Sequence, residues 1–289
     1  MNTKKTINLL LLCFFFTVSV TAQIDTPAPS PAGAVSSTVG LTEVSVEYYR
    51  PGKKGRKIFG DGSDFLVPYG QIWRTGANAG TILSLSTDAK IGDTEVKAGE
   101  YQIVSKPGAD TWNIMLITEM IGGNMSKYNE DIVAATINVK PMKTKNTVER
   151  MTFQIAEISE DNTKATIQFC WDNLSFEIPI EVSFHESVMK DIAAKTQVNP
   201  QNYVAAANYY LTTGENLEQA LEWMNAYLAV GKNSGQFWNV HTKARILAAM
   251  GNKKEAIATA KDSMKKAENW ESGDFGYIKR NQDLIDSLN

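Results

Sequence analysis

Arginines set among aromatic side chains are the residues of this chain with the most chemistry to offer. Positions 48 to 78 read YYRPGKKGRKIFGDGSDFLVPYGQIWRTGAN, with six basic residues (Arg50, Lys53, Lys54, Arg56, Lys57, Arg74), two acids (Asp61, Asp64) and six glycines. A guanidinium makes paired hydrogen bonds to carboxylate, sulfate or phosphate, and tyrosine and tryptophan rings stack on apolar or sugar faces. Arg50, Arg56, Tyr69, Trp73, Arg74 and Asn78 are therefore expected to line a polar, anion-tolerant site. The competing expectation is that Arg50, Arg56 and Arg74 satisfy acids and carbonyls of their own domain and hold a long loop in place.

Other residue types point less sharply. Asp61 and Asp64 flank Gly62-Ser63; a carboxylate pair suits the hydrolysis of glycosidic bonds, yet aspartate and glycine equally favour a turn. The run Gly52-Lys53-Lys54-Gly55-Arg56-Lys57 lacks the G-x-x-x-x-G-K-[ST] spacing of a phosphate loop. His185 and His241 show no paired-ligand spacing, and no G-x-S-x-G elbow occurs. No metal and no cofactor are expected. Cys170 lies in the strand-like run 165–171 and reads as a small buried residue rather than a reactive thiol.

The elements that must position these residues follow from periodicity. Val44, Val46 and Tyr48 alternate with polar neighbours, as a half-buried strand requires. Similar signals recur at 81–86, 95–98, 100–105, 112–118, 132–139, 148–158, 165–171 and 175–184, separated by turn residues such as Gly92-Asp93 and Pro107-Gly108. Many short strands at this spacing predict an antiparallel β-sandwich. Near His185 the apolar spacing changes to three and four, and Asn199-Pro200 supplies an N-cap and a first-turn proline. The stretch 207–214 is echoed at 244–251, an offset of 36–37 residues if the following alanines are included. That is close to the tetratricopeptide period of about 34, with alanine allowing close helix approach and glycine the turn. Two such hairpins are expected, preceded by a helix at 187–195 and followed by one ending near Leu288. Because such repeats need about three units for stability, they are expected to pack against the β-domain.

Composition and the first residues bound the function. Lys4 and Lys5 precede an apolar run over 7–20 and small residues before Gln23, the pattern of a secretory signal peptide. Export to the periplasm or the medium is expected, with no membrane span in the mature chain. Removing 1–22 leaves 27 basic and 32 acidic side chains, an acidic balance that argues against nucleic acid as partner. Positive charge is nevertheless concentrated: 48–78 carries +4, while the remainder of 23–185 has nine basic and eighteen acidic side chains.

Several short runs carry a family resemblance. They are Tyr49-Arg50-Pro51, Gly55-Arg56, Ile58-Phe59-Gly60, Val67-Pro68-Tyr69-Gly70 and Trp73-Arg74-Thr75-Gly76-Ala77-Asn78. Gly40-Leu41-Thr42 upstream, and Ala98-Gly99-Glu100-Tyr101, Pro107-Gly108 and Trp112 downstream, extend the pattern. Over about residues 30–180 the chain resembles the DUF2911 family, secreted bacterial proteins of unknown function. The resemblance implies export and one β-domain containing the motif; it brings no activity, cofactor or catalytic residue.

The sequence thus predicts an α+β protein. Its parts are a signal peptide (1–22), a linker (23–33), an antiparallel β-sandwich (34–184) and a tetratricopeptide-like helical-hairpin domain (185–289). The expected function is a non-enzymatic binding module for a glycan or small acidic ligand, the helical segment contacting a protein partner or bracing the domain. Two alternatives stand beside it: an envelope-directed hydrolase using carboxylates, and a structural protein with the motif as a buried loop.

Overall fold

A computed structural model describes residues 26–197 and 199–289. The expected leader lies outside the described residues. The chain divides after Val182 into two compact units.

Among its described residues the first unit holds twelve strands: β1 (Ala32–Val39), β2 (Thr42–Tyr49), β3 (Phe59–Gly60), β4 (Val67–Pro68), β5 (Thr81–Leu85), β6 (Ala89–Ile91), β7 (Thr94–Val96), β8 (Gly99–Lys106), β9 (Trp112–Ile117), β10 (Val133–Val139), β11 (Met142–Ala156) and β12 (Lys164–Glu181). They form a six-stranded sheet, β1-β2-β5-β8-β9-β10, and a four-stranded sheet, β11-β12-β6-β7; β3 and β4 pair in parallel by themselves. Both larger sheets are antiparallel throughout. The two meet through a buried aromatic core in which Trp112 of β9 packs on Phe169 and Phe176 of β12, centroids 6.1 and 5.3 Å apart. Burying these large rings on both inner faces is the main apolar contribution to the unit.

Two strands depart from the sequence expectation. β1 begins at Ala32, inside the stretch read as linker, and was not foreseen as a strand. It is an edge strand of small residues, AGAVSSTV, of which only Val39 is fully buried, so it shows no two-residue apolar alternation. The runs expected at 165–171 and 175–184 are one strand, β12. Asp172 has a left-handed backbone (φ 57°), and the pairing with β11 shifts register around it. The extra residues lie on β11, where Lys143 to Thr152 face Cys170 to Leu174, while on β12 the inward side changes across the left-handed Asp172. Ala165, Ile167, Phe169 and Trp171 are therefore buried before it, and Phe176, Ile178 and Ile180 after it. The polar Asp172-Asn173 pair lies inside strand β12, opposite the extra residues of β11.

Among its described residues the second unit holds six helices: α1 (His185–Thr196), α2 (Tyr203–Thr213), α3 (Leu217–Leu228), α4 (Phe237–Ala249), α5 (Lys253–Glu268) and α6 (Tyr277–Leu288). A 3-10 turn at Pro200–Asn202 opens α2, and Asn199 caps it by accepting from the Gln201 N–H at 3.0 Å. The echoing segments are the hairpins α2–α3 and α4–α5. Gly214 and Gly251 end their first helices with φ of 75° and 80°, the left-handed conformation glycine adopts without a Cβ penalty. Ala207, Ala220, Ala244 and Ala260 are wholly buried between helices, where a larger side chain would force them apart. Among the described residues no helix is long and apolar enough to cross a membrane.

Candidate functional site

The stretch after β2 passes between the two sheets of the first unit. Gly52 bridges Arg150, and Lys53 N–H donates to the Glu149 carbonyl at 2.7 Å, tying the chain to β11. It then folds on itself through β3 and β4, with Val67 N–H on the Ile58 carbonyl (2.8 Å) and Tyr69 N–H on the Gly60 carbonyl (2.9 Å). Trp73 and Ser105 exchange backbone hydrogen bonds of 2.8 Å, which returns the chain to β8 of the six-stranded sheet.

The last part is a compact loop over 74–80, held by buried polar groups. Thr75 (φ 52°) donates its hydroxyl to Ser105 Oγ at 2.9 Å, and Thr81 Oγ1 donates to the Thr75 carbonyl at 2.5 Å. Thr75, Thr81, Ser105 and Gln102 are each fully buried. The Gln102 amide binds both main-chain groups of Gly122, at 2.8 and 2.9 Å, and so staples the loop after β9 beside the motif. A Cβ on Gly123 would stand 2.9 Å from the Asn78 carbonyl oxygen and 3.9 Å from a terminal nitrogen of Arg74. Only a bare Cα lets this second loop close on Arg74 and Asn78.

The six residues expected to form a site have different surroundings. Arg50 is half-buried, and its guanidinium donates to the Met151 carbonyl (3.2 Å) and Thr152 Oγ1 (2.9 Å). Exposed Arg56 donates to the carbonyls of Lys53 (3.1 Å) and Gly52 (2.5 Å). Trp73 belongs to the aromatic core, stacked on Trp171 at 6.0 Å and edge-on to Phe59 at 5.8 Å. Tyr69 is half-buried and Asn78 exposed, the latter with φ 50°. Arg74 stands apart from the other two arginines. Its Nε is buried without a hydrogen-bond partner, and among the described residues no acceptor meets its guanidinium. Beside this loop a groove of about 400 Å³ runs over Ala32, Gly33, Glu47, Tyr49, Ala79 and Gly80.

The remaining candidates fall elsewhere. Asp61 and Asp64 are exposed in a turn containing Gly62 (φ 92°), and Lys57 Nζ lies 4.0 Å from Asp64. Cys170 is half-buried on β12, where burial and the Glu177 carboxylate push its thiol up, away from the reactive thiolate. His185 contacts Tyr209 Oη at 3.0 Å. His241 is packed inside the helical unit, its Nδ1 2.8 Å from Asn281 Oδ1, and burial lowers its pKa. Gln102, Gly122 and Gly123 were missed from sequence. They lie outside the basic stretch, and nothing in their local pattern marks them as its neighbours in space.

This is a two-sheet β-domain whose arginine-bearing loop crosses between the sheets, followed by helical hairpins. Residues 30–180 match the family described as "Protein of unknown function (DUF2911)", and the chain belongs to that family. The helices from His185 onward lie beyond the match. No curated protein and no solved structure matches the chain.

Proposed function

We propose that this is an exported, non-enzymatic binding protein whose motif loop holds a small acidic ligand, or an acidic group on a glycan, through Arg74. Asn78 and Tyr69 offer neutral hydrogen-bonding groups on the same stretch. Arg50 and Trp73 fix the loop against the sheets, and Arg56 closes the turn at 52–56 on itself. The observation that carries this reading is the contrast among the arginines: two are bonded to main-chain and hydroxyl oxygens, while Arg74 meets no acceptor among the described residues. A guanidinium held in that state is poised for a carboxylate, sulfate or phosphate.

Titration of acidic metabolites and of sulfated and uronic-acid oligosaccharides against wild type and Arg74→Ala tests it. Saturable binding should weaken about tenfold or more in the variant, the worth of a charge-assisted hydrogen bond. The melting temperature should stay unchanged. Equal responses of the two proteins across the panel remove the assignment. That result would favour the reading in which the motif only joins the sheets, which the bonds of Arg50 to Met151 and Thr152 also support.

A further inference from the structure

A groove of about 530 Å³ lies within the helical unit between the end of α1, α2 and the start of α3. One wall is aromatic: Trp223 lies nearly parallel to Tyr203 (centroids 5.9 Å, 14°) and to Tyr210 (5.3 Å, 24°). The rest includes the amides Gln197, Asn216 and Gln219. None of the lining residues carries a charge, although 186–289 contains twelve basic and twelve acidic side chains. An ionic ligand would find no counter-charge in the lining.

Tyr210 makes the groove more than a gap between helices. It is only 6% exposed and lines the cavity, yet its hydroxyl bonds to no described residue. That hydroxyl is not wholly buried, so it is available to a ligand entering the groove. Gln219 is oriented as well: its Nε2 donates to the Glu222 carboxylate at 3.0 Å, which leaves Oε1 to accept from a ligand. An apolar ring wall with a few placed neutral donors and acceptors is the usual build of a small-molecule site. Ligand hydroxyls match the amides and Tyr210, and the C–H face of a sugar ring matches the aromatic wall.

We propose that this groove binds an uncharged oligosaccharide segment, independently of the Arg74 site. The test uses the full chain without its leader, titrated by calorimetry with maltohexaose, cellohexaose, xylohexaose and chitohexaose. A neutral extended peptide and a sulfated oligosaccharide complete the panel. At least one neutral oligosaccharide should bind saturably. Tyr210→Phe, which removes only the hydroxyl, and Gln219→Ala should each weaken it about five- to tenfold. Arg74→Ala should leave that affinity unchanged, so the two sites succeed or fail separately. Three results overturn the proposal: no neutral oligosaccharide binding up to millimolar concentration, binding indifferent to both variants, or binding of the peptide with none of the sugars.

Discussion

Two arginines of one motif, Arg50 and Arg74, differ in their partners: Arg50 is bonded to β11, and Arg74 Nε meets no acceptor among the described residues. Arg50 reaches across to β11 and bonds Met151 and Thr152 there. β1 runs directly over it; a Cβ on Gly33 would stand 2.9 Å from Arg50 Cδ. Removing Arg50 therefore strips a half-buried carbonyl of its donor and opens space under the edge strand. Arg50→Ala should cost about 1–3 kcal/mol, measured by urea denaturation. Arg74→Ala removes no hydrogen bond to the described residues and should cost far less. If both variants unfold at the same denaturant concentration as wild type, the anchor role assigned to Arg50 is wrong.

At the scale of elements, the left-handed Asp172 in β12 marks where the long strand changes the side it turns to the core. Asp172 holds a left-handed backbone and pairs with Lys53 Nζ at 2.5 Å, so one residue both turns the alternation and ties the motif stretch to the second sheet. A non-glycine residue without a local hydrogen bond carries a penalty of about 1–2 kcal/mol in that conformation. Asp172→Gly keeps the geometry and loses the ion pair, whereas Asp172→Ala loses the pair and strains the backbone. The glycine variant should therefore be the more stable by about 1 kcal/mol, even though glycine gains more freedom on unfolding. An alanine variant at least as stable as the glycine variant in thermal denaturation would show that this position tolerates a Cβ. The helical hairpins rest on a simpler device, four buried alanines at matching places, and that device was readable from the repeat offset alone.

For the molecule as a whole, acid sensitivity is the property most directly set by packing. His241 on α4 is held by Asn281 on α6, whose Nδ2 donates to Ser263 Oγ (2.9 Å) on α5 and the Tyr277 carbonyl (2.8 Å). With that amide donating on one side, its oxygen accepts from His241 Nδ1–H, which sets the neutral tautomer. Burial lowers the His241 pKa most strongly; the Asn281 bond opposes the shift, and Arg245 and Arg280 reinforce it, while the Tyr277 ring stands edge-on at 5.4 Å. A depressed native pKa means the unfolded state takes up the proton first. The contribution of neutral His241 is complete above the ordinary value near 6.5 and is lost as pH falls from there toward the lower native value. The melting temperature of wild type should thus fall more steeply between about pH 7 and 5 than that of His241→Gln. Parallel slopes would mean the imidazole is not the sensor.

What the sequence determined by itself was what repeats locally. Alternation located most strands, and the three-to-four spacing and matched glycines located the helical hairpins. The short motif runs carried the family resemblance, because each is read from neighbours in the chain. What only the tertiary structure decided was pairing at a distance. Charge and spacing place Arg50, Arg56 and Arg74 in one class, but their partners are carbonyls, a threonine or nothing among the described residues, and carbonyls have no sequence signature. β1 hid because an edge strand of small residues buries little, and the continuity of β12 hid because aspartate and asparagine more often mark turns. Gln102 and Gly123 come to the motif only through folding. The basic stretch was visible from the start; which of its arginines is left without a partner among the described residues depended on what the rest of the chain brings to it.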